Sequence, residues 1–548
     1  MSDPPHQVRG RWAAVVLIAA VTLPQFLLGL GDRHIWIPLE ARYALVAREM
    51  LETGHWLLPR LGGEVYADKP PLLFWCIALL SAFGSGVTEC TARLPTALAA
   101  VGVCLLTWRL GERLFSPTAG LLAALVLATC GGFFWSARQA LPDMLLTLWT
   151  TGAVWALWEW FVGGRRRMAI AAGLCMGFAT LTKGPVGVVL PTLVGFIYLV
   201  PMVRRQRPTL KGGDALLGLG AFMAITLVWF GPAVAQGGVG YAQATLLHHT
   251  LERYVNAWEH TAPWYFYLGA FPAELLPWTL FLPQALLAGI KLPQHEGREG
   301  WWFTVCWLVV IFGFFSLSTG KRDIYILPAF PAAALLVGWM WSRWWRLASE
   351  AAPSWAMRIP ALALAVTLWG LAIGIWGAAN GLLPRRSMLL LPATREMSLW
   401  GSLLLVLAGT LLGSAAIARG TRLVYACIVG CTWLAMLMTI VWVYTPQFND
   451  RYPIKSFVAE VRARVAVAGP LQLCGPMNDL ALRFNLGDFV PEVVQFSEIL
   501  RYLARDGETF CIIEAEWYQD LGERTGRFFP ILARQEFDRS TLLLISNR

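Results

Sequence analysis

Ionisable and aromatic side chains crowd into one short segment, residues 35–71, of a chain that is otherwise strongly apolar. The candidates in it are Glu40, Arg42, Tyr43, Tyr66, Asp68 and Lys69. Charged groups at the edge of an apolar run are costly unless they bind a polar partner. Two prolines follow the lysine and fix the backbone there, and a lysine so held suits a phosphate group as a point charge. The segment predicts a site for a charged, lipid-borne substrate; the alternative is an interfacial helix with solvated charges.

Short polar motifs elsewhere in the chain supply further candidates. They are Arg138, Asp143, Lys183, Arg253, His260, Lys321 and Arg322. Asp143 stands at the head of an apolar run, where it could also simply cap a helix. The lysines break the charge rule for outer membrane loops, which indicates an anionic partner; otherwise they extend to the headgroups. His260 and Asp68 could bind a divalent metal ion, although no tight metal-binding spacing is present.

The elements that must position these residues are membrane helices. The chain has 548 residues, of which 57% are hydrophobic and 14% charged, so it belongs among integral membrane proteins. Its net charge of +10 could suggest nucleic-acid binding. The basic residues, however, form short clusters between apolar runs, which is typical of cytoplasmic membrane loops. Membrane orientation therefore explains the charge, and no nucleic-acid partner is expected.

About thirteen apolar runs are long enough to cross a bilayer. They cover residues 12–30, 94–110, 119–135, 144–161, 168–181, 186–200, 216–230, 264–290, 302–317, 324–341, 359–378, 399–418 and 423–444. The run 71–83 is short, and an interfacial helix there keeps the arginine clusters on the cytoplasmic side. This topology places the N-terminus in the cytoplasm. It also collects nearly all of the unusual polar motifs on the outer face.

The composition changes after residue 444, where polar helical patterns alternate with short β-type runs. We therefore expect a membrane domain at 1–444, with its first outer loop at 31–88, and a small α/β domain outside the membrane at 445–548. Cys474 and Cys511 lie in that second domain and could pair if it is extracytoplasmic. The expected fold class is a mostly α-helical polytopic membrane protein with a C-terminal α/β domain.

Nucleotide and esterase chemistry lack support, because the chain contains no Walker A, G-x-G-x-x-G or G-x-S-x-G element. The outer face of a membrane has no ATP. An activated group must therefore arrive there already attached to a membrane-borne carrier.

Several motifs together resemble a known family. These are P-x-E-x-R-Y, Y-x-D-K-P-P, R-x-x-x-P-D, L-T-K-G-P and S-L-S-x-G-K-R-x-x-Y-I-L-P. They are similar to motifs of the bacterial aminoarabinose transferases of lipid A. More broadly, they resemble the protein O-mannosyltransferase-like superfamily, which has the type C glycosyltransferase fold. The resemblance extends through most of the membrane part.

The resemblance implies roles for individual residues. Lys69 and Arg42 would hold the carrier phosphate as it leaves, Tyr43 and Tyr66 would line the site, and Asp143 would face the sugar. Asp68 and His260 would bind a metal ion if one is used. The remaining substrate-binding candidates are Arg138, Arg253, Lys321 and Arg322.

One position departs from the family. The family usually has Asp-Glu where this chain has Leu39-Glu40, and the missing acid is the catalytic base that the family is thought to use. Either Glu40 or Asp143 substitutes for it, or the reaction needs no base. A hydroxyl acceptor must lose a proton, whereas a lipid A phosphate is already anionic. The departure therefore favours a phosphate acceptor, or else indicates a divergent or inactive relative.

The expected function is that of an inverting glycosyltransferase in the bacterial inner membrane. It would transfer a sugar, such as 4-amino-4-deoxy-L-arabinose, from undecaprenyl phosphate to lipid A at the periplasmic face. The acceptor could instead be a protein or a polysaccharide. Two alternatives of other classes are a flippase for a lipid-linked sugar and a scaffold whose outer domain binds cell-wall partners.

Overall fold

The computed structural model describes residues 5–35, 37–204, 212–245, 260–290, 297–347, 355–382, 395–418, 421–438, 440, 449, 452–465, 470–475, 480–487, 490–537 and 540–548. The membrane part is built from helices. Those up to the middle of the chain are α1 (Pro5–Leu27), α2 (Pro38–Thr53), α3 (Leu72–Ala82), α4 (Glu89–Leu114), α5 (Pro117–Ala128), α6 (Gly131–Ala137), α7 (Pro142–Gly163), α8 (Arg166–Lys183), α9 (Val186–Arg204) and α10 (Gly212–Gln243). The later ones are α11 (Phe266–Glu274), α12 (Leu282–Ile290), α13 (Arg298–Leu317), α14 (Phe330–Leu347), α15 (Trp355–Ala379), α16 (Arg395–Ile417) and α17 (Thr421–Met438). Two 3-10 segments, Trp278–Phe281 and Asp323–Ala329, precede α12 and α14.

Each of the thirteen predicted spans coincides with a helix or with a bent pair of helices. Within the described residues, eight helices are long and apolar enough to cross a membrane, or up to ten if each bent pair counts as one span. The run at 71–83 forms α3, whose 11 residues are too few to cross, as predicted. The predicted polytopic helical fold is therefore confirmed.

Two predicted spans are sharply bent. The angle is 69° between α5 and α6 and 107° between α11 and the segment that ends with α12. The bends touch each other, because the amide of Gly131 donates to the carbonyl of Leu276 at 3.0 Å and the indole of Trp278 donates to the hydroxyl of Thr129 at 2.9 Å. These bonds satisfy polar groups that a broken helix leaves without its own partners.

The centre of the bundle is α14, whose span is 94% buried. It packs against α5 at a close approach of backbones: a Cβ on Gly338 would lie 2.4 Å from the amide of Ala123. The same closeness recurs between α4 and α5, where a Cβ on Gly120 would lie 2.3 Å from the carbonyl of Trp108. Small residues let membrane helices pack in this way. The result is a rigid scaffold beneath the outer loops.

The first outer loop carries α2 and a small hairpin of β1 (Arg60–Leu61) and β2 (Glu64–Val65). Pro38 opens α2 at a position that needs no backbone donor, and Gly54 ends it with a φ of 73°. The carboxylate of Glu49 accepts from the amides of Gly62 at 2.8 Å and Gly63 at 2.9 Å, which fixes the hairpin against α2.

The C-terminal part is the predicted small α/β unit. Its elements are α18 (Ile454–Val465), β3 (Leu471–Cys474), α19 (Leu480–Leu486), β4 (Glu492–Val493), α20 (Phe496–Leu503), β5 (Phe510–Glu514), α21 (Ala515–Thr525), β6 (Ile531–Glu536) and β7 (Thr541–Ser546). The strand order is β4-β3-β5-β7-β6, with β3 parallel to β4 and β5 and the last two strands antiparallel. Cys474 and Cys511 form a disulfide between β3 and β5, which confirms that proposed pair. The expected domain boundary at 444 lies outside the described residues.

Candidate active site

The start of α2 is held by a buried ion network around Glu40. Arg33 Nη2 donates to both carboxylate oxygens of Glu40, at 3.0 and 2.9 Å. Arg93 donates to the same two oxygens, at 3.0 Å from Nε and 3.2 Å from Nη2. The amide of Ala140 adds a bond of 3.0 Å. The network therefore joins the end of α1, α2, α4 and the turn before α7.

Glu40 is predicted to be catalytic, but the environment that the structure gives it favours a structural role. The side chain is 0% exposed, and five hydrogen bonds occupy its oxygens. Burial alone would raise the pKa of Glu40, but the charges of Arg33 and Arg93 outweigh it and lower the pKa to about 2. A carboxylate so acidic and so enclosed does not take a proton from an acceptor. Glu40 is a structural residue that fixes α2.

The contacts of Arg138 likewise favour a structural role over the predicted role in substrate binding. Its guanidinium is buried and donates to three carbonyls at the end of α1: those of Gln25 at 3.0 Å, Phe26 at 3.2 Å and Gly29 at 3.2 Å. These carbonyls lack partners within the helix. A cation at a helix C-terminus is favourable, so Arg138 caps α1.

Asp143 has one strong cationic partner, the ammonium of Lys183, at hydrogen-bond distance. Asp143 lies in the first turn of α7 without capping it, and Lys183 is the last residue of α8. Each charge opposes the partial charge of its own helix end. The ammonium of Lys183 also lies 4.1 Å from the ring centroid of Tyr325, a cation–π contact. The anionic partner predicted for Lys183 is thus Asp143.

Tyr43 and Tyr66 form the wall on the α2 side, and both pack against Phe74, with ring centroids 5.8 and 6.0 Å apart. Burial raises the pKa of Tyr43 well above its usual range, and the nearby charge of Asp143 adds to the rise. Burial likewise raises the pKa of Tyr66, with a contribution from Asp68. Both phenols therefore keep their protons at physiological pH and can donate hydrogen bonds to an anion.

Arg42 and Lys69 lie at the open side of this wall. Arg42 approaches Asp68 at 3.9 Å with both side chains about a third exposed, and its charge is near enough to Tyr66 to act on the pKa of that phenol. Its Nε is buried and meets no hydrogen-bond acceptor in the described part of the chain. Lys69 Nζ donates to the carbonyl of Asp68 at 2.8 Å. Both cations thus lie beside Asp68 in the first loop.

The structure separates the neighbours Lys321 and Arg322. Lys321 is 5% exposed, and its ammonium donates to the carbonyls of Ala262, at 3.0 Å, and Ser318. It therefore connects the end of the outer loop to the 318–321 turn, and these contacts favour a structural role over the predicted role in substrate binding. Arg322 is half-buried, and its charge is near enough to Tyr43 to act on the pKa of that phenol. Arg322 thus belongs with the site.

The metal-binding hypothesis finds no matching donor set in the part of the chain that the structure describes. No group of three or more His, Cys, Asp or Glu side chains there could hold a metal ion. Asp68 faces Arg42, and His260 is exposed with a φ of 58°. The described residues therefore do not fit a metal centre. Arg253 and the loop residues 246–259 around it lie outside the described residues.

Four separate motifs thus meet at one edge of the helix bundle. The α2 motif brings Arg42 and Tyr43, the α7–α8 hairpin brings Asp143 and Lys183, and the segment after α13 brings Arg322 and Tyr325. Cations and protonated phenols can hold a phosphate group, and a single carboxylate can face a neutral or cationic sugar.

Comparison with known proteins gives matches in sequence and in fold. Residues 68–230 match the family model described as dolichyl-phosphate-mannose-protein mannosyltransferase. The undecaprenyl phosphate-alpha-4-amino-4-deoxy-L-arabinose arabinosyl transferase 1 of Pseudomonas fluorescens is 33% identical over 336 residues, which are 60% of this chain and 59% of the relative. The corresponding Pseudomonas aeruginosa transferase is 33% identical over 57% of each chain. The matched region therefore spans less than two thirds of these relatives.

The fold match extends over nearly the whole chain. The crystal structure of ArnT from Cupriavidus metallidurans bound to undecaprenyl phosphate superposes with a TM-score of 0.76 at 21% identity, over 97% of this chain and 98% of that one. The two chains therefore share a fold. The Archaeoglobus fulgidus oligosaccharyltransferase has a less similar fold, with a TM-score of 0.50 at 12% identity, over 88% of this chain and 64% of that one. The resemblance predicted from the motifs thus agrees with a sequence match over part of the chain and a fold match over nearly all of it.

Four residues that hold the site together were not among the predicted site residues. Arg33 and Arg93 hold Glu40, Tyr325 packs on Lys183, and the Tyr267 hydroxyl donates to the carbonyl of Arg322 at 2.9 Å. One signal was available for Arg93, which is an arginine near the start of an apolar span and therefore needs an anionic partner. Arg33 and Tyr267 carry no comparable signal in the sequence.

Proposed function

We propose that this protein is an inverting glycosyltransferase that takes its sugar from a polyprenyl phosphate. The observation that carries the proposal is the meeting of Arg42, Arg322 and two protonated tyrosines with the Asp143–Lys183 pair at one membrane edge. The names of the similar transferases support undecaprenyl phosphate as the carrier and 4-amino-4-deoxy-L-arabinose as the sugar. The proposed acceptor is a phosphate of lipid A.

In the proposed reaction, the bond between the anomeric carbon and the carrier phosphate breaks and leaves its electron pair on the phosphate oxygen. Arg42, Lys69 and Arg322 stabilise the charge that builds up there, and the hydroxyls of Tyr43 and Tyr66 donate to the same group. The acceptor oxygen attacks from the opposite face of the sugar, which inverts the anomeric carbon. Asp143 faces the sugar and stabilises positive charge on it.

The charges of the site support an acceptor that is already anionic. Glu40 is bound by two arginines, Asp143 is paired with Lys183, and position 39 is a leucine. A hydroxyl acceptor would need a carboxylate free to take its proton. A phosphate monoester attacks without losing a proton. The proposal therefore prefers a lipid phosphate to a protein or polysaccharide hydroxyl.

We further propose that the site opens to the periplasm from the bacterial inner membrane. The C-terminal unit contacts α2, so both lie on one side, and its disulfide indicates an oxidising compartment. Arginine clusters lie at the opposite ends of the helices, among them Arg109, Arg113 and Arg165. The N-terminus would then be cytoplasmic.

A flippase for a lipid-linked sugar is the second candidate. The bent pairs α5/α6 and α11/α12 are a feature that such transporters share. The paired charges of the site, however, lie at one edge of the bundle and join elements that the scaffold holds rigidly. The transferase therefore remains the preferred function.

Mass spectrometry of lipid A tests the proposal. Cells that express the wild-type chain should add one pentosamine to lipid A, and Lys69→Ala should lose this increment because the leaving phosphate loses a cation. Lys455→Ala serves as a control, since its ammonium pairs with Glu89 away from the site. Unmodified lipid A with the wild-type chain would contradict the acceptor. Carrier-linked sugar that accumulates on one leaflet would favour the flippase.

A further inference from the structure

Arg48, on α2, hydrogen-bonds the C-terminal domain. Its Nη1 donates to the carbonyl of Phe484 at 2.9 Å and to that of Gly487 at 3.5 Å. Its Nη2 donates to the carbonyl of Val87, just before α4, at 3.3 Å. The guanidinium also lies 4.4 Å from the ring centroid of Phe484. One side chain thus joins α2, the start of α4 and the end of α19.

The carbonyls that Arg48 binds lie at a helix end that needs donors. The last carbonyls of α19 have no partners within the helix, and the negative end of the helix dipole attracts cations. Arg462 of α18 supplies the other donor, to Leu486 at 2.6 Å and Asn485 at 3.3 Å. Gly487 turns the chain there with a φ of 84°. Two arginines from different domains therefore share one helix end.

The Arg48 contact restrains α2, the helix that carries Arg42 and Tyr43 of the site. Arg48 lies five residues after Tyr43, about 140° further around α2, so the two side chains leave the helix on different sides. Glu40 fixes the first turn of the same helix, and Arg48 fixes it about two turns nearer to its end. Between these anchors stand Arg42 and Tyr43. A small shift of a helix that holds substrate groups lowers turnover strongly.

We propose that the C-terminal domain is a clamp that positions α2, and that Arg48 is the positioning residue through which it acts. This inference rests on the proposed function only in its activity test. Planar donors and ring stacking make the contact specific to arginine, because a lysine offers one compact charge and no stacking plane. The disulfide at Cys474 fixes the end of β3, from which the chain continues to α19.

The test compares full-length Arg48→Ala, Arg48→Lys and Lys455→Ala in detergent or nanodiscs. Lys455 pairs with Glu89 of α4, so its removal takes a cation from the same domain boundary without touching α2. We expect Arg48→Ala to lower kcat for sugar transfer about tenfold to hundredfold with a smaller change in KM. Arg48→Lys should recover part of the loss, and Lys455→Ala should match the wild type.

Hydrogen exchange of α2 amides gives a second readout that does not depend on the reaction. Exchange should quicken in Arg48→Ala, less so in Arg48→Lys, and stay unchanged in Lys455→Ala. Wild-type turnover together with wild-type exchange in Arg48→Ala would overturn the clamp. Equal losses in Arg48→Ala and Lys455→Ala would also overturn it, since general docking would then suffice. Faster exchange in a protein that transfers no sugar would support the clamp and count against the proposed function alone.

Discussion

Glu40 and Asp143 are both buried carboxylates at the same edge of the bundle, and the groups around them differ. Glu40 meets two arginines and a backbone amide, which occupy both of its oxygens. Asp143 meets the single ammonium of Lys183 and lies near the phenol of Tyr43. A fully enclosed carboxylate locks elements together, whereas a singly paired one keeps an oxygen for substrate.

The comparison also bears on position 39, where this chain has a leucine in place of the acid that is usual in the family it resembles. The Glu40 network fixes α2, and α2 presents Arg42 and Tyr43 toward the Asp143–Lys183 pair. In the proposed reaction, structural and chemical tasks are divided between two carboxylates about a hundred residues apart in the chain. Variants of each should therefore fail in different ways.

The largest effect is expected for Glu40→Gln, and it should fall on stability. The amide cannot balance two buried guanidinium groups, and an uncompensated buried charge costs about 3–5 kcal/mol. We expect a lower yield of folded protein and a thermal midpoint well below that of the wild type in the same detergent. Wild-type stability together with lost turnover in this variant would instead indicate that Glu40 takes part in the reaction.

The pH dependence of unfolding sharpens the same contrast. Because Arg33 and Arg93 lower the pKa of Glu40 to about 2 in the folded state, from 4.5 as the ordinary value, the network stabilises the fold above pH 4.5. That contribution should disappear as the pH falls from about 4.5 toward 2. Denaturant titrations at several pH values would measure it. Glu40→Gln should lack this part of the acid dependence; equal slopes in the two proteins would contradict the assignment.

Asp143→Asn should show the opposite pattern, with a stable protein and slow transfer. A charge aimed at the developing positive charge of a sugar is worth about 10²–10³-fold in kcat. The asparagine keeps the shape of the side chain, so binding of the carrier phosphate should change little. Single-turnover transfer with a labelled donor, measured together with donor binding, distinguishes an effect on the chemical step from an effect on binding. Weaker binding at unchanged turnover would remove Asp143 from the reacting centre.

Lys183→Met should give an intermediate loss of about tenfold, on the scale of a charge-assisted contact. The methionine fills similar space, but it frees Asp143 to turn and removes the cation from the ring of Tyr325. Lys183→Arg should restore part of the activity because it keeps the charge. The loss should not add to that of Asp143→Asn in the double variant, and full additivity would show that the two residues act separately.

The sequence was sufficient to predict the helical framework, the C-terminal α/β unit and most motifs that meet at the site. It placed Asp143 and Lys183 on the same face of the membrane, because the order of the helices and the charges of the loops can both be read from local sequence. It could not distinguish a chemical from a structural ionisable residue. Glu40, Arg138 and Lys321 all resemble site residues in sequence, and only their long-range partners show that they cap helices or bind loops.

The smallest effect is expected for Asp68→Asn, because Asp68 is a partly exposed carboxylate, unlike the buried Glu40 and Asp143. Asp68 and Arg42 are 3.9 Å apart and about a third exposed, and such surface pairs contribute no more than about 1 kcal/mol. Stability should therefore change little, and salt should screen what remains. Turnover should stay within about threefold, since Arg42 keeps its charge and the exposed pair contributes little to its position. A loss as large as that of Asp143→Asn would place Asp68 in the reacting machinery, as the metal ligand first predicted or as a direct contact to the sugar.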